Sequence, residues 1–385
     1  MLNFTYHNPV KVVFGKGSIA ELPKLVPAEA KVLMTYGGGS IKRNGVFDQV
    51  IRAMQNRQMI EFAGIEPNPR YETCMKAVEL AKAEEVDFLL AVGGGSVLDG
   101  TKFIAAAVPY KGKDPWDFLV NWARIPANPL PIGSVLTLPA TGSEMNGGAV
   151  ISRDSLREKL YFISPGTYPQ FSILDPETTC SLPPRQTANG IVDAFVHTTE
   201  QYLTYPADAP LQDRQAEAIL LTLIEEGPKA LADPRNYAVR ANLMWCATQA
   251  LNGLIGCGVP QDWASHMIGH ELTALYGIDH AQSLALVLIG TLRHQQQRKR
   301  AKLLQYADRV WHIAAGDDDA RAAQAIDRTE QFFRSLGVGT RFADYNIPHE
   351  AVELVAKRLA KRQMKLGEHA DLEEKEVREI LAMRK

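Results

Sequence analysis

An α/β half built on a mainly parallel sheet, followed by an all-helical half, is the fold class this sequence predicts. Three observations predict it. Up to about residue 180, short apolar runs alternate with helix-like ones, as in "KVLMTY", "ETCMKAVELAKAEE" and "DFLLAV", the pattern of parallel strands joined by crossover helices. From "LPPRQTANG" onward, strand-like runs nearly vanish and long helical runs dominate. At 385 residues the chain is too long for one compact core and suits two domains of ordinary size. The expected boundary lies at Pro183–Pro184, dividing the chain into 1–183 and 184–385.

"KVLMTY" is a short buried strand that ends in "GGGS", and "DFLLAV" is another with the same ending, followed by a helical "VLDGTKFIAAAV". Between them, Met75, Val78 and Ala81 share one face of a run rich in good helix formers. In the second half, "RQAEAILLTLIEEGPKAL", "AVRANLMWCATQALNGLIG", "AKLLQYADRVWHIAAG" and "ARAAQAIDRTEQFFRSLG" read as helices, and the chain ends in a charged one.

Composition narrows the function. Hydrophobic content of 46% and charged content of 22% are those of a soluble globular protein. A net charge of −2 without basic or acidic blocks gives no support to nucleic acid or an anionic membrane surface as a partner. No run approaches ~20 apolar residues, so no membrane span is expected. "MLNFTYHNPVKVVFGKG" lacks the regions of a signal peptide. Cys74, Cys180, Cys246 and Cys257 have neither CxxC nor zinc-finger spacing. The expectation is a cytoplasmic protein with reduced thiols.

The glycines raise the question of phosphate. Gly93, Gly94, Gly95 and Ser96 stand where a strand ends and a helix begins. Glycine lets the backbone approach an anion, and the free N–H groups of a helix start favour negative charge. The bland alternative is a tight turn. A second copy at Gly37, Gly38, Gly39 and Ser40 favours a dinucleotide, although the GxGxxG fingerprint is absent. "TYGGGSIKR" also lacks the acid that usually binds the ribose 2′-hydroxyl of NAD. Ser40, backbone amides and the nearby Lys42 or Arg43 suit a 2′-phosphate instead. "TLPATGSEMN" is a hydroxyl-rich turn that either caps a helix or binds phosphate and ribose oxygens.

A second group points to metal. In "GIVDAFVHTTE", Asp193 and His197 lie one helical turn apart, and His266 and His270 repeat that spacing in "SHMIGHELTALYGIDHAQ", with His280 ten residues on. Imidazoles with a carboxylate suit Zn²⁺ or Fe²⁺. The spacing does not say which of His266 and His270 is the ligand. A nucleotide on one wall and a Lewis acid on the other is the layout of metal-assisted hydride transfer.

From Asn3 to about Leu366 these segments resemble the iron-containing (group III, metal-dependent) alcohol dehydrogenase family. The residues that carry the resemblance are "GGGSVLDGTK", "TLPATGSE", "DPETTCSLPPRQTANGIVDAFVHTTE" and "HMIGHELTALYGIDHAQSLA". Ala281 stands in place of a usual glycine and Asp279 of a usual proline. "YGGGSIK" and "VPQDWASH" resemble the branch of NADPH-dependent, broad-range aldehyde reductases of the butanol-dehydrogenase type.

The resemblance implies a Rossmann-like dinucleotide-binding domain and a helical metal-binding domain, as in dehydroquinate synthase-like folds. It implies Asp193, His197, His266 and His280 as ligands of one divalent ion, Zn or Fe, and His270 as a non-ligand near the nicotinamide. It places Gly38, Gly39 and Ser40 at the 2′-phosphate of NADP(H), and Gly94, Gly95, Ser96 and Asp99 at the pyrophosphate and ribose. Thr137, Thr141 and Lys159 become further cofactor contacts, while Lys102 belongs to the motif with a role that is either binding or structural. The implied activity is reversible reduction of aldehydes to primary alcohols, by a homodimer joined through "NFTYHNPVKVVFG". Trp263 and Met267 are expected in a substrate pocket or in ordinary core. Two rival readings are an NAD-linked polyol or alcohol dehydrogenase on the same fold and a non-catalytic nucleotide-binding protein.

Overall fold

The computed structural model describes residues 1–120 and 125–385. They fall into two compact units, one made of His7–Leu182 with Pro234–Thr248, the other of Met1–Tyr6, Pro183–Asp233 and Gln249–Lys385.

The first unit holds eight strands among the described residues: β1 (Lys11–Phe14), β2 (Lys31–Tyr36), β3 (Gln58–Phe62), β4 (Phe88–Gly94), β5 (Ile132–Leu138), β6 (Gly148–Arg153), β7 (Glu158–Ile163) and β8 (Phe171–Leu174). Six form a sheet in the order β1-β8-β5-β4-β2-β3, with every pair parallel. Both faces of this sheet are covered, so its inner strands are continuous apolar runs rather than alternating ones. In β4, Leu89 and Ala91 join one apolar cluster, while Phe88, Leu90 and Val92 join another. The helix Gly95–Ala107 follows β4 directly and is buried along almost its whole length. β6 and β7 form a separate antiparallel hairpin that the sequence pattern did not single out.

The two GGGS turns are not equivalent. The second opens the 13-residue helix Gly95–Ala107, whereas the first opens only the four-residue helix Ser40–Arg43. The expected N-terminal strand is also shorter than "NFTYHNPVKVVFG": only Lys11–Phe14 is extended in a ladder, paired with β8.

The division departs from the expected 1–183 and 184–385 in two places. Leu2 N–H donates to the Gly258 carbonyl at 2.8 Å, within the helical unit. Residues 234–248, most of the helix Tyr237–Ala250, belong with the sheet. There Met244 enters the sheet's core, Trp245 meets Phe14 edge-on at 5.9 Å, and Thr248 Oγ1 donates to Glu144 Oε1 at 2.5 Å.

In the helical unit, Pro184 opens the helix Pro184–Tyr202, where its missing N–H costs nothing. This helix is buried on every side from Thr187 to Tyr202 and packs against the helices Pro210–Ala232 and His280–His294. The helix Ala264–Tyr276 packs against His280–His294 in turn. No described helix is long and apolar enough to cross a membrane.

Candidate active site

The helical unit brings together Asp193, His266 and His280, each offering one ligand atom within 4.8 Å of the others. Three elements supply them. Asp193 comes from the middle of the buried helix Pro184–Tyr202, His266 from the first turn of Ala264–Tyr276, and His280 from the first residue of His280–His294. His280 Nε2 stands 3.8 Å from Asp193 Oδ1, and His197 Nδ1 approaches the same oxygen at 3.7 Å. Two donors each ~2.1 Å from one tetrahedral ion stand about 3.4 Å apart, so both separations are near those of a shared coordination sphere. A carboxylate with imidazoles fits a divalent Zn or Fe ion. His197 is not part of the three-residue set, but its ring stacks on His266 with centroids 4.6 Å apart.

His270 lies outside the set as well. It is buried, with its ring 5.2 Å from His280 and 6.3 Å from His266. Trp263, held at φ 62° just before the Ala264–Tyr276 helix, puts its indole 5.2 Å from the His266 ring. Met267 packs into the apolar core behind that helix, so the core reading holds for it.

The unusual Asp279 has a clear local role. Its side chain caps the His280–His294 helix in a capping box with Gln282, and its Oδ2 accepts from Arg185 at 2.8 Å and Asn189 at 2.7 Å. A proline there would supply none of these bonds, and His280 is the residue they fix in place.

Glu200 was missed as a functional candidate. It sits three residues after His197, 3% exposed, with Oε1 accepting Ser265 N–H at 2.6 Å and Oε2 in contact with His266 Nδ1. Burial pushes its carboxyl well above the usual range, with the Asp262 carboxylate adding to the effect and the hydrogen bonds from Ser265 and His266 opposing it. The available signal was an acid inside a helix otherwise committed to the core.

In the sheet unit, packing explains part of the second glycine turn. A Cβ on Gly93 would fall 2.5 Å from Val97 Cγ2, on Gly94 2.9 Å from Leu138 Cβ, and on Gly95 2.3 Å from Thr141 Oγ1. Ser96 Oγ accepts from Asn68 N–H at 3.2 Å, and the buried Lys159 donates to Asn68 Oδ1 at 2.8 Å. Asn68 thus ties the hairpin's Lys159 to the glycine turn. Asp99 is occupied: Oδ1 accepts from Ser143 at 2.7 Å and Oδ2 from Val150 N–H at 3.0 Å. Lys102 is fully buried and donates to Ser143, Asn146 and the Gly148 carbonyl. Burial pushes it down to about 8 against the pull of Asp99 and Glu144. Both residues fasten the 141–150 segment to the helix. Thr137 is buried, and Thr141 Oγ1 accepts from Ser143 N–H at 3.2 Å.

The first turn is different. A Cβ on Gly38 would meet nothing within 4 Å, while Gly39 is held at φ +87° and needs glycine for its backbone. Gly38 and Ser40 are exposed. The structure corrects the reading that no acid is nearby. Glu61, on β3, accepts from Tyr36 Oη at 2.8 Å and from Lys42 Nζ at 3.1 Å. Strand pairing brings it beside the turn from 21 positions further along the chain than Ser40.

Known proteins match this chain over nearly its whole length. Residues 9–176 match the model of the iron-containing alcohol dehydrogenase, and residues 187–384 that of the Fe-containing alcohol dehydrogenase family, C-terminal. The chain belongs to the iron-containing alcohol dehydrogenase family. It is 58% identical to the NADPH-dependent aldehyde reductase YqhD of Escherichia coli K12, over 97% of each chain. It is 43% identical to the probable NADH-dependent butanol dehydrogenase 1 of Bacillus subtilis 168, over 99% of each. The crystal structure of E. coli K-12 YqhD superposes with a TM-score of 0.98 at 55% identity, covering 100% of this chain and 99% of that one. The family and the two-part fold expected from the sequence are those found.

Proposed function

We propose that this family member reduces aldehydes to primary alcohols, reversibly, with NADPH as the hydride donor and a divalent metal, Zn or Fe, held by Asp193, His197, His266 and His280. The observation that carries the reading is the convergence of Asp193, His266 and His280 from three helices onto one point. When bound, the metal supplies a Lewis acid for the carbonyl oxygen and NADPH supplies the hydride.

The chain's own residues do the rest. The Asp193 carboxylate contributes the negative charge that a divalent ion requires among otherwise neutral imidazoles. The Trp263 indole, close to the His266 ring, keeps water from one side of the centre. His270, next to His280 but outside the ligand set, holds and passes a proton at a ring nitrogen. In the sheet unit, Gly94, Gly95 and Ser96 offer helix-start amides to the pyrophosphate, with Asp99, Thr137, Thr141 and Lys159 shaping or touching the nucleotide site. Gly38, Gly39 and Ser40 receive the 2′-phosphate, and the open space at Gly38 supports a close approach there.

A second reading, NADH in place of NADPH, is favoured by one feature. The Glu61 carboxylate beside that turn is an acid of the kind that binds a 2′-hydroxyl. Lys42 pairs with it, which supports the phosphate reading. A homodimer and a cytoplasmic setting belong to the same proposal. They are supported by the edge position of β1 with Phe14 and Trp245 each 42% exposed, and by four free thiols.

His266→Ala tests the metal centre. The variant is expected to lose bound metal and turnover while NADPH binding persists, since the glycine turns belong to the other unit. Retained metal with normal activity would remove His266 from the ligand set.

A further inference from the structure

We propose that Glu200 is a positioning residue for the metal centre, setting which nitrogen of His266 carries a proton and so which one is offered to the metal. The proposal rests on the reading of Asp193, His266 and His280 as ligands. It starts from the two oxygens of one carboxylate. Oε1 accepts the Ser265 backbone N–H at 2.6 Å, a donor that cannot change its character. Oε2 meets His266 Nδ1. In its ionised form Glu200 can only accept there, which places the proton on Nδ1 and the lone pair on Nε2. The two nitrogens lie on opposite edges of the ring. With Nδ1 turned to Glu200, Nε2 is the nitrogen that can enter the set with Asp193 and His280. The Glu200 carbonyl also accepts Asp262 N–H at 2.9 Å, so the same residue grips the segment leading into the helix that carries His266. A carboxylate behind a metal-bound imidazole fixes its tautomer and raises its basicity.

The competing account is that Glu200 merely anchors Ser265, and glutamine separates the two. Glu200→Gln keeps the size and shape of the side chain, and its single carbonyl oxygen still accepts the Ser265 N–H. That choice turns the amide NH₂ toward Nδ1. A donor now faces the ring, which favours the tautomer with hydrogen on Nε2 and withdraws the lone pair the metal needs. Glu200→Ala loses the anchor altogether but admits water, which can accept from Nδ1.

The test strips full-length wild type, Glu200→Gln and Glu200→Ala of metal and titrates each with Zn²⁺ against a competing chelator, with NADPH binding as a check on folding. The expected result is a loss of about 10- to 100-fold in Zn²⁺ affinity for Glu200→Gln, at least as large as that of Glu200→Ala, with NADPH affinity retained. A glutamine variant that binds Zn²⁺ like wild type, or that is weakened less than the alanine variant, overturns the positioning role and leaves the metal centre standing. A wild type that binds no Zn²⁺ overturns both. Selective ¹⁵N-histidine NMR of stripped wild type, with His266 assigned by difference, reads the tautomer without any Glu200 variant. Hydrogen on Nδ1 is expected, and hydrogen on Nε2 would refute the proposal.

Discussion

Gly38→Asp should turn cofactor preference from NADPH toward NADH, by an amount that charge repulsion at this open turn sets. A side chain there is sterically free, because a Cβ meets nothing within 4 Å and, unlike Gly39 at φ +87°, the backbone is not left-handed. The substitution therefore acts through charge rather than strain. A carboxylate ~6 Å from a phosphate bearing about 1.5 charges, at an effective dielectric of ~40 for this exposed turn, is repelled by about 2 kcal/mol. That is roughly thirtyfold in affinity. Salt should shrink the effect, since an exposed pair is screened within about 10 Å at 0.1 M. The assay is kcat/KM for NADPH and NADH in wild type and variant, at two ionic strengths. The account predicts a large fall for NADPH and little or no fall for NADH. Equal losses with both cofactors, or an unmoved preference, would show that Gly38 does not lie against the 2′ position.

Other perturbations probe the remaining parts. His270→Ala should retain its metal and lose on the order of 10²-fold in rate, as a proton carrier would; a metal-free variant would make His270 a ligand. Asp279→Ala should cost about 1–2 kcal/mol in denaturant unfolding, the usual range for a lost N-cap, and an unchanged midpoint would contradict the capping role. Glu330 gives a pH test. Burial opposes its ionisation, but hydrogen bonds from Thr340, Arg384 and Arg293 outweigh that and hold its carboxyl down to about 2 from an ordinary 4.5. The folded state therefore binds fewer protons, so the stabilisation is complete above about 4.5 and disappears as pH falls toward 2. The unscreened value of ~3 kcal/mol shrinks to about 1–2 because the partner Arg293 is partly exposed and its charge is screened. Glu330→Gln should flatten the loss of stability between pH 5 and pH 3 in urea unfolding, and parallel curves for wild type and variant would refute it.

Much of this arrangement could be read from the chain because its determinants are local. The apolar "DFLLAV" run, the glycines and the helix formers after it act within a few residues of one another, and they become β4 and the helix Gly95–Ala107. The i,i+4 pair Asp193 and His197 shares a helical face wherever that helix is placed. What escaped depends on contacts between distant segments. Nothing near residue 244 announces that Met244 completes the core of the sheet unit. The acid beside the first glycine turn sits on β3, so "TYGGGSIKR" alone could not disclose Glu61. The β6–β7 hairpin, with one side half-buried, carries a weaker apolar signal than the strands of the main sheet. Glu200 was visible as an acid in a buried helix, but its partner His266 lies 66 residues away.

The central claim is that aldehyde reduction by this chain depends on a metal held by the cluster around Asp193, His266 and His280. The most direct measurement follows NADPH oxidation by full-length protein with an aliphatic aldehyde, after complete removal of metal and again after adding back Zn²⁺ or Fe²⁺, with bound metal quantified each time. The account predicts no aldehyde-dependent oxidation without metal and restored turnover at about one ion per chain. Undiminished turnover by protein shown to be metal-free would contradict it.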